Sequence, residues 1–262
     1  MSFDFLSFYK KAETIYTQDS PFIYSFCDEV LEDYHNITLP RTQSYRTQLL
    51  ANTNNIQLTN IGSGSMINSR LDIKVSDLAK SSSSHFEKCQ LLISIAKWSN
   101  ASNVLELGTN LGLAALAFGE SGMTVDTIEG NSDLFQLAHS SLCSFENIRC
   151  YHSKFLEFLY KNKQSYDLIF IDGDHSYHAT KRLINEATKC LRTNGIIIID
   201  DIRWSSEMKM IWKELISADQ FNTSIDLFAI GLVLEHTALK STIIKSLIPK
   251  RYKPWPYHFF RK

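Results

Sequence analysis

The sequence predicts an α/β fold in which a doubly wound, mostly parallel seven-stranded sheet is closed by an antiparallel hairpin. Two observations lead to this prediction. From Asn103 onwards, short apolar runs alternate with helical stretches, which is typical of a parallel sheet with helices on both faces. Further along, Ser224–Phe228 and Leu232–Glu235 are separated by three residues that include Gly231, a spacing that favours a hairpin.

The regular part of the chain supplies five predicted parallel strands and the helices between them. The run of four isoleucines at Ile196–Ile199 is apolar throughout, as expected of a strand that is buried on both faces. The predicted strands are Val104–Leu107, Thr124–Ile128, Ile148–Tyr151, Leu168–Ile171 and Ile196–Ile199, and the predicted helices include Leu111–Gly119, Leu134–Cys143 and Tyr177–Leu191.

The ends of the chain lack this alternation and are predicted to be additions to the sheet domain. Residues 1–80 indicate an N-terminal extension of helices and loops with a turn at Ile61–Ser65 (IGSGS). Residues 81–244 form the predicted sheet domain, in which the serine run 81–84 precedes a helix over 85–98. Residues 245–262 form a basic, aromatic tail, which could pack on the domain or bind RNA or another anionic surface.

Composition restricts the class of protein. The 262-residue chain has a formal net charge of −1, which gives no support for a nucleic-acid or membrane partner. Its five cysteines are odd in number, widely spaced and without a CxxC pair, so a disulfide framework and a zinc site are not expected. No signal peptide and no apolar stretch of about 20 residues is visible. We therefore expect a cytoplasmic protein with reduced thiols.

The first chemical motif lies where the first predicted strand runs into a helix. The strand carries Glu106, and a glycine-rich turn from Gly108 to Gly112 follows it. Glycines let the backbone approach a ligand closely, and open α/β sheets bind ligands at the carboxyl ends of their strands. Within this turn, Thr109 and Asn110 are candidate ligand contacts. The alternative is a tight strand-to-helix turn that binds nothing.

A second motif, Thr127–Gly130, ends the next strand. Glu129 lies 21 positions after Gly108, the spacing at which a carboxylate accepts the ribose hydroxyls of a nucleoside ligand. Both NAD and S-adenosylmethionine (SAM) fit these two motifs. The glycines of the turn are four positions apart, so GxGxxG is absent, and the closing hairpin also argues against a dehydrogenase.

A group of acidic residues follows two further strands. Asp172, Asp174 and His175 come directly after Leu168–Ile171, and Asp200 and Asp201 come after Ile196–Ile199. Adjacent parallel strands lie about 5 Å apart, so these groups converge. Carboxylates that meet in a cleft repel one another unless a cation or protons intervene, and oxygen ligands suit Mg²⁺, Mn²⁺ or Ca²⁺. Alternatively, Asp174 caps the next helix and Asp201 makes a turn.

Taken in order, the segments LELGT, TIEG, FIDGDHSY and DDI make the chain similar to the cation-dependent O-methyltransferases, the group that contains catechol, caffeoyl-CoA and macrocin/cephamycin-type enzymes. The resemblance covers roughly residues 75–235 and implies the class I methyltransferase fold with SAM as cofactor. It implies that Asp172, Asp200 and Asp201 hold a divalent metal, with Mg²⁺ preferred. It places His175 where several members carry a catalytic lysine.

The resemblance also implies a mechanism and a set of donor contacts. A metal can bind the acceptor hydroxyl and lower its pKa, and His175 could take the proton, with Asp172 as the second catalytic residue. The expected donor contacts are Glu106, Gly108, Thr109, Asn110, Gly112, Glu129, Gly130, Ser153 and Asp172. The chain departs from the family at His152–Phe155, where an acidic residue is common, and at Asp201, where asparagine is common.

The sequence therefore predicts a SAM-dependent O-methyltransferase that acts on a small hydroxylated acceptor and can form a homodimer. Residues 1–80 are expected to act as a lid and to supply part of the acceptor pocket, to which Arg203 and Trp204 could add. One alternative is a methyltransferase for RNA (tRNA) hydroxyls, which the net charge does not support. Another is a SAM-binding assembly or regulatory protein without activity, which the intact acidic set argues against.

Overall fold

The chain is described here by a computed structural model, which covers residues 3–59, 70–81, 85–218, 220–239 and 241–253. A central eight-stranded sheet carries helices on both faces, and a two-stranded sheet lies apart from it. The predicted α/β fold is confirmed. Among the described residues, no helix has both the length and the apolar character that a membrane span requires.

The strands of the central sheet follow the apolar runs of the sequence. In the small antiparallel sheet, Asn55–Thr59 (β1) pairs with Arg70–Lys74 (β2). The strands of the central sheet are β3 (Asn103–Leu107), β4 (Thr124–Glu129), β5 (Ile148–His152), β6 (Tyr166–Ile171), β7 (Leu191–Ile199), β8 (Thr223–Asp226), β9 (Gly231–Leu234) and β10 (Ile243–Ser246).

Ten α-helices lie within the described residues, and the second continues into a π-helical turn at Phe26–Leu31. They are α1 (Phe3–Lys11), α2 (Pro21–Ser25), α3 (Pro40–Ala51), α4 (Val75–Ser81), α5 (Phe86–Trp98), α6 (Leu113–Glu120), α7 (Ser132–Leu142), α8 (Phe155–Lys161), α9 (Tyr177–Thr188) and α10 (Ser206–Ser217).

The strand order of the central sheet is β10-β8-β9-β7-β6-β3-β4-β5. Strands β3 to β7 are parallel, and β9 runs antiparallel to both β7 and β8, which confirms the predicted hairpin. The eighth strand, β10, pairs with β8 in parallel and was not predicted. It is short and lies at the edge of the sheet, where Ile244 is more than half exposed, so its residues show no buried pattern in the sequence. It also crosses the expected boundary between the sheet domain and the tail.

Two hydrophobic layers cover the sheet. One contains α5, α6 and the buried side of α7 together with much of the N-terminal segment, and the other contains α8, α9 and α10. Phe26, Val30 and Leu39 are fully buried or nearly so in the first layer. Most buried apolar residues of this segment from Ile15 to Ala79 therefore belong to the hydrophobic core of one face of the sheet, whereas Phe8 and Ala12 of α1 form a separate cluster with Ile248. The turn expected at Ile61–Ser65 lies outside the described residues.

The N-terminal segment also reaches the carboxyl edge of the sheet at two places. In α1, Phe8 packs against the Arg203 guanidinium, 5.2 Å from its ring centroid, close behind β7. In α3, the Tyr45 hydroxyl donates to the carbonyl oxygen of Leu111 at 3.0 Å, within the glycine-rich turn. The lid role remains a prediction, and these contacts identify the two elements that border the edge.

The described start of the basic tail packs on the same segment. Lys245 pairs with Glu13 at 2.7 Å, and Arg251 donates to the Tyr34 hydroxyl at 2.7 Å. Lys253 donates to the carbonyl oxygens of Tyr9 and Ala12. The basic residues of 245–253 thus join this part of the chain to the N-terminal segment.

Candidate active site

The turn between β3 and α6 contains three residues with positive φ. Gly108 (φ 115°), Asn110 (φ 51°) and Gly112 (φ 81°) all have positive φ. The Gly108 and Thr109 amides donate to the Ile128 carbonyl oxygen at 3.0 and 3.2 Å, which fixes the turn to the end of β4. Non-glycine residues rarely adopt this conformation, and such residues cluster at binding sites.

Glu129 is built into this turn from the neighbouring strand. Its carboxylate accepts the backbone amide of Asn110 at 2.8 Å and that of Asn131 at 2.9 Å. Burial raises the pKa of Glu129, and these amide hydrogen bonds partly offset the rise. Each carboxylate oxygen has a second acceptor position, so Glu129 can still accept two ribose hydroxyls.

Glu106 is buried beneath the turn. Its carboxylate accepts the Thr127 hydroxyl, which lies 2.6 Å from the Thr109 hydroxyl. Burial raises the pKa of Glu106 to about 8, although the bond from Thr127 acts in the opposite direction. Because its side chain is enclosed, Glu106 supports the turn through Thr127 and Thr109.

The two motifs of the sequence meet at one backbone contact. The Asp172 amide donates to the Leu107 carbonyl oxygen at 2.9 Å, and a Cβ atom added to Gly108 would lie only 2.0 Å from the Asp172 carbonyl oxygen. The Asp200 amide in turn donates to the Ile171 carbonyl oxygen at 2.9 Å. The glycine-rich turn and the acidic group therefore form one continuous edge.

The acidic group contains a lysine that sequence reasoning missed. Lys88 of α5 donates to the Asp200 carboxylate, and its Nζ lies 3.5 Å from Asp172 Oδ2. Burial alone lowers the pKa of Lys88, but its attraction to both carboxylates outweighs burial and raises it. In the case of Asp172, burial and the neighbouring Asp200 raise the pKa, and Lys88 pulls it back in part.

A second group of side chains lies at the more exposed side of this edge and consists of Asp172, His175 and Asp201. One potential ligand atom from each lies within 4.8 Å of the others, and His175 Nε2 is 4.0 Å from Asp201 Oδ2. Burial and Asp200 raise the pKa of Asp201. His175 Nδ1 is buried with no hydrogen-bond partner among the described residues, so a bound metal ion or acceptor hydroxyl would satisfy it. These three groups fit a divalent cation.

The structure thus divides the predicted metal set of Asp172, Asp200 and Asp201. Asp200 faces inward to Lys88 with its side chain 3% exposed, whereas Asp201 is 40% exposed and lies beside His175. The adjacent strands bring all three carboxylates to one edge, and among the described residues Asp172, His175 and Asp201 have potential ligand atoms within 4.8 Å of one another. The predicted metal set of Asp172, Asp200 and Asp201 therefore stays a prediction.

The remaining predicted residues occupy the surroundings of this edge. Ser153 follows β5, and its amide donates to the Glu129 carbonyl oxygen at 3.1 Å. Gly130 lies between Glu129 and the Asn131 cap of α7. The Asp174 side chain accepts the Ser176 hydroxyl at 3.1 Å and so remains outside both groupings. Arg203 is occupied by Asp226 and the Phe228 carbonyl oxygen, whereas the Trp204 side chain is 74% exposed.

One sequence signal could have identified Lys88. It lies four and seven positions before Leu92 and Ile95, which are both fully buried, so it belongs to the apolar stripe of α5. A lysine on that stripe requires a buried anionic partner. The nature of the partner could not be read, because it comes from strands more than 80 residues further along the chain.

Comparison with known proteins identifies a methyltransferase domain in this part of the chain. Residues 105–202 match a family model described as a methyltransferase domain. Among curated proteins, the O-methyltransferase hkm8 of Aspergillus hancockii is 30% identical over 136 residues, covering 48% of this chain and 54% of that protein. The match therefore spans about half the length of that relative.

Solved structures show the same fold. An O-methyltransferase from Bacillus cereus in complex with S-adenosylhomocysteine (SAH) has a TM-score of 0.56 and 15% identity, over 76% of this chain and 93% of its own. A Staphylococcus aureus protein described as a caffeoyl-CoA O-methyltransferase has a TM-score of 0.55 and 21% identity, over 61% and 88%. Residues 105–202 therefore match a methyltransferase domain, and the chain shares the fold of these O-methyltransferases.

Proposed function

We propose that the chain transfers a methyl group from SAM to a hydroxyl of a small acceptor at the edge formed by β3, β4, β6 and β7. The observation that supports the proposal is the close approach of Gly108 to the Asp172 carbonyl oxygen, because the glycine-rich turn then lies next to the group that contains Asp172, His175 and Asp201. The O-methyltransferases among its relatives support the reaction type.

The donor binds along the glycine-rich turn in this proposal. Glu129 accepts the ribose hydroxyls, and the backbone of Gly108 to Gly112 faces the amino-acid part of SAM. Glu106 fixes the turn from below through Thr127 and Thr109. Gly130 and Ser153 border the adenine of SAM, since Gly130 follows the carboxyl end of β4 and Ser153 follows that of β5.

The transfer is an in-line displacement. The acceptor oxygen forms a bond to the methyl carbon while the bond from that carbon to the SAM sulfur breaks, which leaves SAH and a methyl ether. His175 accepts the proton released by the hydroxyl, and the Asp201 carboxylate, 4.0 Å from Nε2, stabilises the imidazolium that results. Asp172 lies between the donor turn and His175 and orients the acceptor.

A metal-assisted form of the same reaction is the second candidate, since Asp172, His175 and Asp201 bring three ligand atoms together. A divalent cation held there, such as Mg²⁺, would lower the pKa of the acceptor hydroxyl. In that form His175 is a ligand and does not serve as the base.

The acceptor approaches from the side on which Trp204 is exposed, between the α1 contact at Arg203 and the α3 contact at Leu111. An exposed indole beside the acidic edge suits stacking against an aromatic hydroxyl compound. We extend the lid proposal to residues 1–80 on the same grounds, because methyl transfer requires water to be kept from the reacting pair.

The test is SAH production from SAM with a panel of catechols, phenols and sugar alcohols. We expect His175→Ala to lower kcat by roughly 100-fold or more with little change in SAH affinity, because a general base contributes about 10²–10⁴-fold. His178→Ala, an exposed neighbour on α9, is the matched control. Chelation separates the two forms, since loss of turnover in EDTA that Mg²⁺ restores would assign His175 as a ligand. Unchanged turnover in His175→Ala would refute both.

A further inference from the structure

Lys88 is placed in the acidic edge by a rigid element. Its helix, α5, is buried along one side through Cys89, Leu92 and Ile93, and it packs on α6 and the Phe26–Leu31 turn. The Lys88 side chain is 23% exposed, and its Nζ lies 5.6 Å from the centre of the Phe170 ring in addition to its two carboxylate contacts. The ammonium is therefore fixed by the packing of the helix.

The charge of the edge requires such a group. Asp172, Asp200 and Asp201 follow adjacent strands, and a buried carboxylate without a counter-charge is costly. Asp200, the most enclosed of the three, receives the Lys88 ammonium directly. Asp172 shares the same ammonium at 3.5 Å, so one lysine compensates the negative charge of both inner carboxylates. Asp201 lies at the more exposed side of the edge, beside His175.

We propose that Lys88 is the resident cation of the inner carboxylate pair, Asp172 and Asp200. Its ammonium neutralises the negative charge of this pair, which a divalent ion would otherwise have to neutralise. It is a positioning residue, because its ammonium holds the carboxylate of Asp172, a residue that the proposed function places beside the donor. It also withholds Asp200 from any metal, which leaves Asp172, His175 and Asp201 as a weaker site. The proposal rests on the proposed function only for the identity of the donor.

Metal binding by the protein alone tests this proposal without reference to activity. Mn²⁺ is titrated into the EDTA-treated and desalted full chain, and free Mn²⁺ is followed by electron paramagnetic resonance. We expect Lys88→Met to bind Mn²⁺ at least about tenfold more tightly than the wild type, because a positive charge is removed and Asp200 is released. The matched control is Lys97→Met, an exposed lysine on the same helix, which should stay within about twofold. Equal Mn²⁺ affinity in Lys88→Met and wild type overturns the proposal.

Two further variants test the role of Asp200 without any change at Lys88. If Asp200 is withheld, Asp200→Asn weakens Mn²⁺ binding by much less than Asp201→Asn does. Equal losses in the two variants would make Asp200 a metal ligand and overturn the proposal. This comparison holds even if Lys88→Met does not fold.

Donor binding provides the rescue experiment. In EDTA we expect Lys88→Met to bind SAH more weakly than the wild type, and Mn²⁺ to restore the affinity of the variant alone. SAH binding by Lys88→Met that Mn²⁺ leaves unchanged contradicts the positioning role. If the wild type binds no SAH at all, the proposed function fails, and the Mn²⁺ titrations still decide the role of Lys88.

Discussion

The two halves of the site satisfy their buried carboxylates in different ways. In the donor half, Glu129 accepts the backbone amides of Asn110 and Asn131 and Glu106 accepts the Thr127 hydroxyl, so each acid is paired within β3, β4 and the loops that follow them. In the acidic half, Asp172 and Asp200 rely on Lys88, which comes from a helix outside the sheet. The donor half is thus complete in itself, whereas the acidic half depends on a cation brought from elsewhere.

This difference explains what each half can tolerate. In the half that binds the methyl donor, the groups that hydrogen-bond to Glu129 and Glu106 are neutral amides and a hydroxyl. Their positions are set by the backbone of β3, β4 and the following loops. When one partner of a buried ion pair is removed, the other charge stays buried without compensation, and the folded state is destabilised by about 3–5 kcal/mol. The acidic half should therefore respond to salt and metal ions more strongly than the donor half does.

The largest expected effect comes from Gly108→Ala, which separates the two halves where they touch. The new Cβ would lie 2.0 Å from the Asp172 carbonyl oxygen, and φ at this position is 115°. We expect a loss of about 3 kcal/mol or more in the free energy of unfolding, measured by urea denaturation, because backbone cannot give way as a side-chain end can.

Gly122→Ala is the matched control for this substitution. Gly122 also has positive φ, at 88°, but nothing lies within 4 Å of an added Cβ. It should cost about 1 kcal/mol from backbone strain alone. Similar losses in the two variants would mean that the close approach between the halves is unimportant.

Glu129→Ala should have the next largest effect, confined to the donor half. The variant loses the acceptor for the ribose hydroxyls and leaves the amides of Asn110 and Asn131 without their carboxylate. We expect SAH affinity to fall roughly 30- to 100-fold by calorimetry, because hydrogen bonds to a charged group contribute about 1.5–3 kcal/mol. Glu157→Ala, exposed on α8, is the control. SAH affinity that survives Glu129→Ala would remove this residue from the donor site.

The sequence was sufficient to predict the parallel strands because most of them are apolar runs, and to predict the hairpin because a three-residue connection with Gly231 joins two short strands. It was insufficient for β10, whose four residues are only partly buried at the edge of the sheet. In the site, it predicted which carboxylates lie at the carboxyl edge because strand ends carry them there. The apolar stripe of α5 could have identified Lys88 as a buried lysine, but its pairing with Asp172 and Asp200 depends on how α5 packs over the sheet, and no local pattern encodes that packing.

A smaller effect should appear in the pH dependence of stability. Glu106 has a pKa of about 8 in the folded chain, above the ordinary value for the unfolded chain. The folded state therefore binds the proton more tightly, and this contribution to stability is complete below about pH 4.5 and is lost as pH rises towards 8. Glu106 lowers the free energy of unfolding by at most about 1.4 kcal/mol per pH unit as the pH rises through this range. Glu106→Gln should remove this part of the pH dependence, as measured by urea titrations between about pH 5 and 8. Parallel profiles for the two proteins would show that Glu106 is charged throughout this range.

Calorimetric titration of SAH into the wild-type chain, once in EDTA and once in Mg²⁺, tests the comparison most directly. Because the donor half pairs its own acids and Lys88 balances the inner pair, we predict one SAH site per chain with the same affinity, within about twofold, in both conditions. Binding that appears only in Mg²⁺, or no binding in either, would contradict the account.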